Sequence, residues 1–282
     1  MNTSLVAAKV ALAPVLLVQG QWLRRTALRL PEPEGSRMGT VGEGRPRLRV
    51  LVVGDSSAAG VGVADQAQAL ALPLASRLSE QLCGAVSWQL VARTGVNTEQ
   101  ARVLLGESQL NAADVAVVAL GVNDVSSQTS PARYVEQMEM LWQDVCARTG
   151  ARWAVFSGLP PMHLMSALPH PLRWYLGRYA RDLDAALRRW TEAQSLGYCA
   201  LDWASDASAL ASDGFHPGPQ LYPLWARRLA ELISFRPELV EGRSEHPELV
   251  EGPELVEGPV HCPVRPEPVE GAHMDRKADD PR

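Results

Sequence analysis

The sequence predicts an α/β domain built on a mainly parallel, five-stranded sheet with helices on both faces. Short, β-branched apolar runs alternate with longer amphipathic stretches along residues 47–235, and the strongest runs end at a glycine. Runs of this length suit buried strands, and repeated β–α units imply parallel pairing. The first strand is expected at 48–53, bounded by Gly54, and a helix at 66–83. Further strands are expected at 88–91, 115–120, 153–156 and 198–201, of which 115–120 (Val-Ala-Val-Val-Ala-Leu) has the character of a central strand. Pro131 after Ser130 opens a helix to about residue 147, since proline at the first helical position sacrifices no hydrogen bond. Helices at 172–194 and 221–234 complete the pattern.

Of the 282 residues, 46% are hydrophobic, enough for a buried core. The net charge of −5 is unevenly spread: residues 1–50 hold 8 basic and 3 acidic side chains, and residues from Pro237 onward hold 5 basic and 12 acidic. The near-neutral middle has no footprint for nucleic acid. Cys83, Cys146, Cys199 and Cys262 have neither CxxC nor metal-ligand spacing, so buried thiols acting as small hydrophobes are expected. That usage fits a reducing compartment and a cytoplasmic location.

The flanks differ from this body. Residues 1–46 form an apolar and then basic segment leading into a Gly- and Pro-rich linker over 32–47. The apolar run from Leu5 to Val18 contains Lys9 and Pro14 and is followed by Trp22, Arg24 and Arg25. It is short for a membrane span and lacks the basic start and small-residue cleavage site of a signal peptide. A membrane-surface helix, giving peripheral membrane contact through residues 5–25, fits best. A helix packed on the domain and a true signal or anchor stay open. If the segment inserts, the basic residues after it favour a cytoplasmic domain. At the other end, residues 236–282 repeat Pro-Glu-Leu-Val-Glu-Gly at irregular spacing, and this acidic composition predicts disorder.

Four blocks carry chemistry, and each falls where a strand ends or before a helix begins, the edge at which parallel sheets bind ligands. Gly54-Asp55-Ser56 places a serine at a sharp strand-to-helix turn. Ser56 needs a base to become a nucleophile. His216 is preceded three residues earlier by Asp213 and followed by a helix, which suits a base whose second ring nitrogen is held by a carboxylate. Asn123, in Gly121-Val122-Asn123-Asp124, offers an amide donor to a tetrahedral intermediate, alongside the backbone N–H groups of Ser56 and Gly95. Asp124 is expected to brace the loop. Each block alone has a plain structural reading as a turn or cap. The G-x-S-x-G elbow is absent because Ala58 stands two residues after Ser56, which disfavours α/β-hydrolase lipases.

Taken in order, the blocks resemble those of the SGNH (GDSL-type) hydrolases over residues 48 to about 235. The resemblance implies a flavodoxin-like three-layer α/β/α fold and a metal-free, cofactor-free acyl-enzyme mechanism. It assigns Ser56 as nucleophile, Ser56, Gly95 and Asn123 as oxyanion donors, and Asp213 with His216 as the remaining triad. One departure is Gly-Asp-Ser-Ser where the family has Gly-Asp-Ser-Leu. The implied activity is hydrolysis of carboxylic esters. The apolar loop at 159–168, with Met162, Leu164 and Met165, and Trp174 beyond it could line an acyl pocket, leaning toward medium-chain or lysophospholipid esters. Carbohydrate O-deacetylation or acyl transfer on the same fold is the alternative, and a non-catalytic lipid- or glycan-binding protein is the alternative of another class.

Overall fold

The computed structural model describes residues 3–202, 207–236 and 238–241. Among the described residues six strands form one sheet in the order β1-β3-β2-β4-β5-β6, with β1 Met38–Val41, β2 Leu48–Gly54, β3 Val86–Ala92, β4 Val115–Ala119, β5 Trp153–Ser157 and β6 Gly197–Cys199. All pairings are parallel except that of β1 with β3. The five parallel strands are those expected from sequence. The addition is β1, an antiparallel edge strand inside the stretch read as linker. Its four residues are exposed or half-buried and show no apolar alternation, so backbone bonds to residues 86–89 of β3 make it a strand.

Alternation along each strand sorts the core into two layers. Leu48, Val50 and Val52 of β2 face α3 (Ala71–Leu82) and α8 (Leu221–Ser234). Leu51 and Val53 face the opposite layer, with α4 (Thr98–Glu107), α6 (Pro131–Thr149) and α7 (Leu172–Ala193). Both faces of β2, β4 and β5 are therefore apolar, as a covered parallel sheet demands. Ser130 caps α6 by accepting from Arg133 N, with Pro131 at the first helical position.

Helix α1 (Thr3–Thr26) lies on α7, burying Leu5 and Leu16 in the second layer. The Gln19 amide fastens it there, donating to His170 O at 2.5 Å and accepting from Leu172 N at 3.0 Å. Pro14 sits inside the helix without ending it. By length and composition Leu5–Thr26 is apolar enough to cross a membrane, and little of it is fully buried.

The chemistry of the cysteines is mixed: Cys146 and Cys199 are buried as expected, whereas Cys83 is exposed, because it ends α3 in a left-handed conformation at the surface. None of these three forms a disulfide. Cys262 and residues 242–282 of the acidic tail lie outside the described residues. The start of that tail does not: residues Glu238–Glu241 form the short helix α9, with Leu239 buried in the α3–α8 layer and its carbonyl held by Arg152.

Strand β2 ends against its neighbour with no room to spare. A Cβ at Gly54 would stand 2.3 Å from Ala58 Cβ and 2.7 Å from Ala119 O. Gly54→Ala should destabilise the fold by roughly 1–3 kcal/mol, as overpacking does. A urea midpoint unchanged from wild type would refute this account of the strand crossing.

Candidate active site

The order of the sheet reverses at β2, which has β3 on one side and β4 on the other. Such a switch point opens a crevice beyond the carboxyl ends of the strands. Ser56 enters it from β2, Gly95 from the loop after β3, and Asn123 from the loop after β4. The loop before α8 brings Asp213 and His216.

Ser56 begins a single helical turn, α2 (Ser56–Ala59), capped by Asp55, whose Oδ1 accepts from Ser57 N at 3.0 Å. Tyr222 of α8 packs against this turn, its single hydroxyl proton shared between Val61 O at 2.7 Å and Ser57 O at 3.0 Å. The Ser56 hydroxyl lies 2.8 Å from His216 Nε2, and His216 Nδ1 lies 2.6 Å from Asp213 Oδ2. Asp213 Oδ1 accepts the backbone N–H groups of Phe215 and His216, both at 3.0 Å, so one carboxylate folds the loop and orients the ring. The Asp213 side chain is 3% exposed. Burial alone would raise its pKa, but the bonds from the His216 ring and the two backbone amides hold it below the usual carboxylate value. An ionised Asp213 selects the tautomer with hydrogen on Nδ1, leaving Nε2 as acceptor for the serine proton.

Asn123 stands at the start of α5 (Val122–Ser126), after Gly121 at φ +134°. Its Nδ2 donates to Val96 O at 3.0 Å and lies 3.5 Å from Asp55 Oδ2, a contact long enough to yield to a better acceptor. Asp124, expected to brace its own loop, is fully buried and instead holds the start of α4, accepting Thr98 N at 3.1 Å and Thr98 Oγ1 at 2.9 Å. Gly95 is exposed at φ +83° with open space around it. Five groups expected from sequence thus meet at one edge: Ser56, Gly95, Asn123, Asp213 and His216.

The expected acyl residues divide. Leu164 and Met165 line a cavity of about 60 Å³ with Leu120, Leu159, Phe215 and Trp225, and Asp55, Ser57 and Pro217 form its end beside the serine and histidine. Met162 and Trp174 are not part of that wall. Met162 is 1% exposed within the α6–α7 core, because the 3-10 turn Met162–Leu164 folds it inward. Trp174, on the first turn of α7, is 39% exposed at the surface. Trp225 of α8 also lines the cavity and donates to Ser157 Oγ at 3.1 Å, and no sequence signal marked it. Among the described residues no group of three or more His, Cys, Asp or Glu is arranged to hold a metal ion.

Residues 52–224 match the model of the GDSL-like lipase/acylhydrolase family. The chain belongs to this family and is a carboxylic ester hydrolase. Its fold resembles that of TesA, with 21% identity over 66% of this chain and 97% of TesA and a TM-score of 0.52. It also resembles a lipase/acylhydrolase from Enterococcus faecalis, with 18% identity over 67% of this chain and 96% of that one and a TM-score of 0.52. The lipase Lip_vut3 from a goat rumen metagenome, 17% identical over 66% and 97% of the two chains, gives the same TM-score of 0.52. At these identities the likeness concerns the fold. Comparison with curated proteins gave no match.

Asp55 lies under the serine at 2% exposure. Burial pushes its pKa up to about 6, with Asp124 adding to the rise and the Ser57 N–H and His216 opposing it. Because folding raises this pKa from 3.8, the folded chain holds the proton more tightly than the unfolded chain. The stabilising contribution is full below pH 3.8 and is lost as pH rises to about 6. Between pH 4 and 7 the wild type should therefore lose stability relative to Asp55→Asn, by at most about 3 kcal/mol. Parallel curves of unfolding free energy against pH would show that Asp55 does not titrate in this window.

Proposed function

We propose that the chain hydrolyses acyl esters through an acyl-enzyme on Ser56. The continuous hydrogen-bonded series from Ser56 Oγ through His216 to Asp213 is the observation that carries this reading. As Ser56 Oγ bonds to the ester carbonyl carbon, its proton passes to His216 Nε2 and the carbonyl oxygen becomes an oxyanion. The backbone N–H groups of Ser56 and Gly95 and the Asn123 amide are the donors assigned to that oxygen. Collapse breaks the bond to the alcohol, which takes the proton from His216. Water, deprotonated by the same ring, then releases the acid and restores Ser56.

The apolar walls supplied by Leu159, Leu164, Met165 and Phe215 support an aliphatic acyl group, of medium chain length or from a lysophospholipid. Helix α1 supports a membrane-bound ester: its outward side is apolar, with Val10, Leu17 and Val18 exposed, and Trp22, Arg24 and Arg25 sit at its carboxyl end. The hydrolase unit in this reading is residues 47–235, with the acidic tail dispensable beyond the Leu239 contact.

Hydrolysis of p-nitrophenyl esters from acetyl to palmitoyl should peak at a medium chain and vanish in Ser56→Ala. A peak at acetyl would favour a deacetylase, and no turnover by a folded protein would favour a binding role. Asp213→Asn should lower kcat by about 10³- to 10⁴-fold, as losing the orienting carboxylate does. Asn123→Ala should lower kcat by roughly a hundredfold with KM little changed, and a change confined to KM would remove Asn123 from the oxyanion hole. Sedimentation with anionic lipid vesicles should carry the full chain down, and a chain that stays in the supernatant would sink the membrane reading.

A further inference from the structure

We infer that Glu32 is a positioning residue for ester hydrolysis, holding the loop that presents the Gly95 N–H from a strap of chain outside the residues matched by the family. The inference rests on the assignment of Gly95 as an oxyanion donor. Glu32 precedes residue 52, where the family match begins.

Gly95 has nothing of its own to fix it: it is exposed, at φ +83°, and a side chain there would meet open space. What fixes it is the anchoring of its neighbours. Glu32 Oε1 accepts the Thr94 backbone N–H at 2.6 Å and the Thr94 hydroxyl at 2.7 Å. The other oxygen, Oε2, accepts from Arg37 Nη2, and Arg37 Nη1 donates to Ala92 O at 2.6 Å. Arg93 N donates to Gly54 O at 3.3 Å, and Val96 O accepts from Asn123. The Glu32–Arg37 pair therefore grips the loop at residues 92 and 94, and the nucleophile strand and the Asn123 block grip it at 93 and 96.

The direction of the Gly95 N–H is set by the peptide plane joining it to Thr94. A glycine with no packing partner lets that plane turn once Thr94 is released. A donor contributes to transition-state stabilisation through being already aimed, so a looser plane lowers kcat while leaving ground-state binding nearly untouched. The strap is itself anchored by hydrogen bonds. Gln66 N donates to Glu34 O at 2.9 Å, the buried Gln66 amide reaches Ala59 O at 2.8 Å and Pro33 O at 3.4 Å, and Leu90 N donates to Arg37 O at 2.7 Å. Burial would raise the Glu32 pKa, but the two Thr94 bonds and Arg37 hold it below the ordinary value. Glu32 is thus a carboxylate at neutral pH, and it works by holding a shape.

The test is steady-state kinetics on a p-nitrophenyl ester with the full chain, comparing wild type, Glu32→Ala, Glu32→Gln, Thr94→Val and Ser56→Ala, with Tm for each. Glu32→Ala should lower kcat about tenfold or more with KM within about twofold and an unshifted pH profile. Glu32→Gln, which keeps an acceptor oxygen for Thr94, should recover most of that loss. Thr94→Val, which removes only the hydroxyl bond, should fall between wild type and Glu32→Ala, and it serves if Glu32→Ala does not fold. Unchanged kcat in Glu32→Ala, or in Thr94→Val if that is the folded variant, would overturn the inference, as would a loss confined to KM. Residual turnover in Ser56→Ala would instead remove the underlying reading of the site, so the two failures are told apart.

Discussion

At the end of β2 the backbone passes so close to β4 that the chain can turn only at a residue without a side chain. Gly54 meets that requirement, and the position of Ser56 follows from it. The Asp55 N–H bonds Ala119 O at 3.1 Å, which ties the nucleophile turn to the central strand before the turn has begun. Gly54 O in turn accepts Arg93 N, so the same glycine also registers the loop after β3. Two of the three strand ends that form the crevice are thus locked to the third through one peptide unit, that joining Gly54 to Asp55.

The site sits among buried carboxylates, and their charge matters to the chemistry proposed for it. Asp55 and Asp124 are both buried, and burial pushes both pKa values up. A negative charge beneath the serine would repel a forming oxyanion, so a raised Asp55 pKa lessens that opposition at mildly acid pH. Asp213 is the exception. It collects three hydrogen bonds, keeps its charge, and lies on the far side of the imidazole, where a negative charge favours the imidazolium. Burial outweighs the hydrogen bonds at Asp55 and Asp124, and the hydrogen bonds outweigh burial at Asp213.

What was legible in the sequence and what was not divides along the same physical line. Ser56, Asn123, Asp213 and His216 could be found because their chemistry is in the side chain and their places are marked by strand ends. The five parallel strands were legible as short, β-rich apolar runs, clearest in β2, β4 and β5, where both faces are apolar. β1 was not, since an edge strand of Met38, Gly39, Thr40 and Val41 is made by backbone pairing alone. Glu32 looked like one more charge in a linker, because its partner is a backbone amide 62 residues away. Met162 and Trp174 failed as pocket residues for a related reason: a loop's composition announces that something apolar is present but not which side chains turn inward. Leu239 hid in a repeat whose other copies look the same.

Ser56 and His216 are 160 residues apart in the chain, and the tyrosine that clamps the serine's turn comes later still, in α8. During vectorial synthesis Ser56, the nucleophile of the proposed reaction, leaves the ribosome long before either partner exists, so a nascent chain of even 200 residues holds it without the imidazole that would activate it. Reactivity appears late and all at once, when the last helix closes a loop of about 160 residues. The entropy of closing so long a loop grows only logarithmically with its length, whereas the folding rate falls as contacts become more distant. Topology therefore acts as a timer that withholds esterase chemistry until the whole domain has been made.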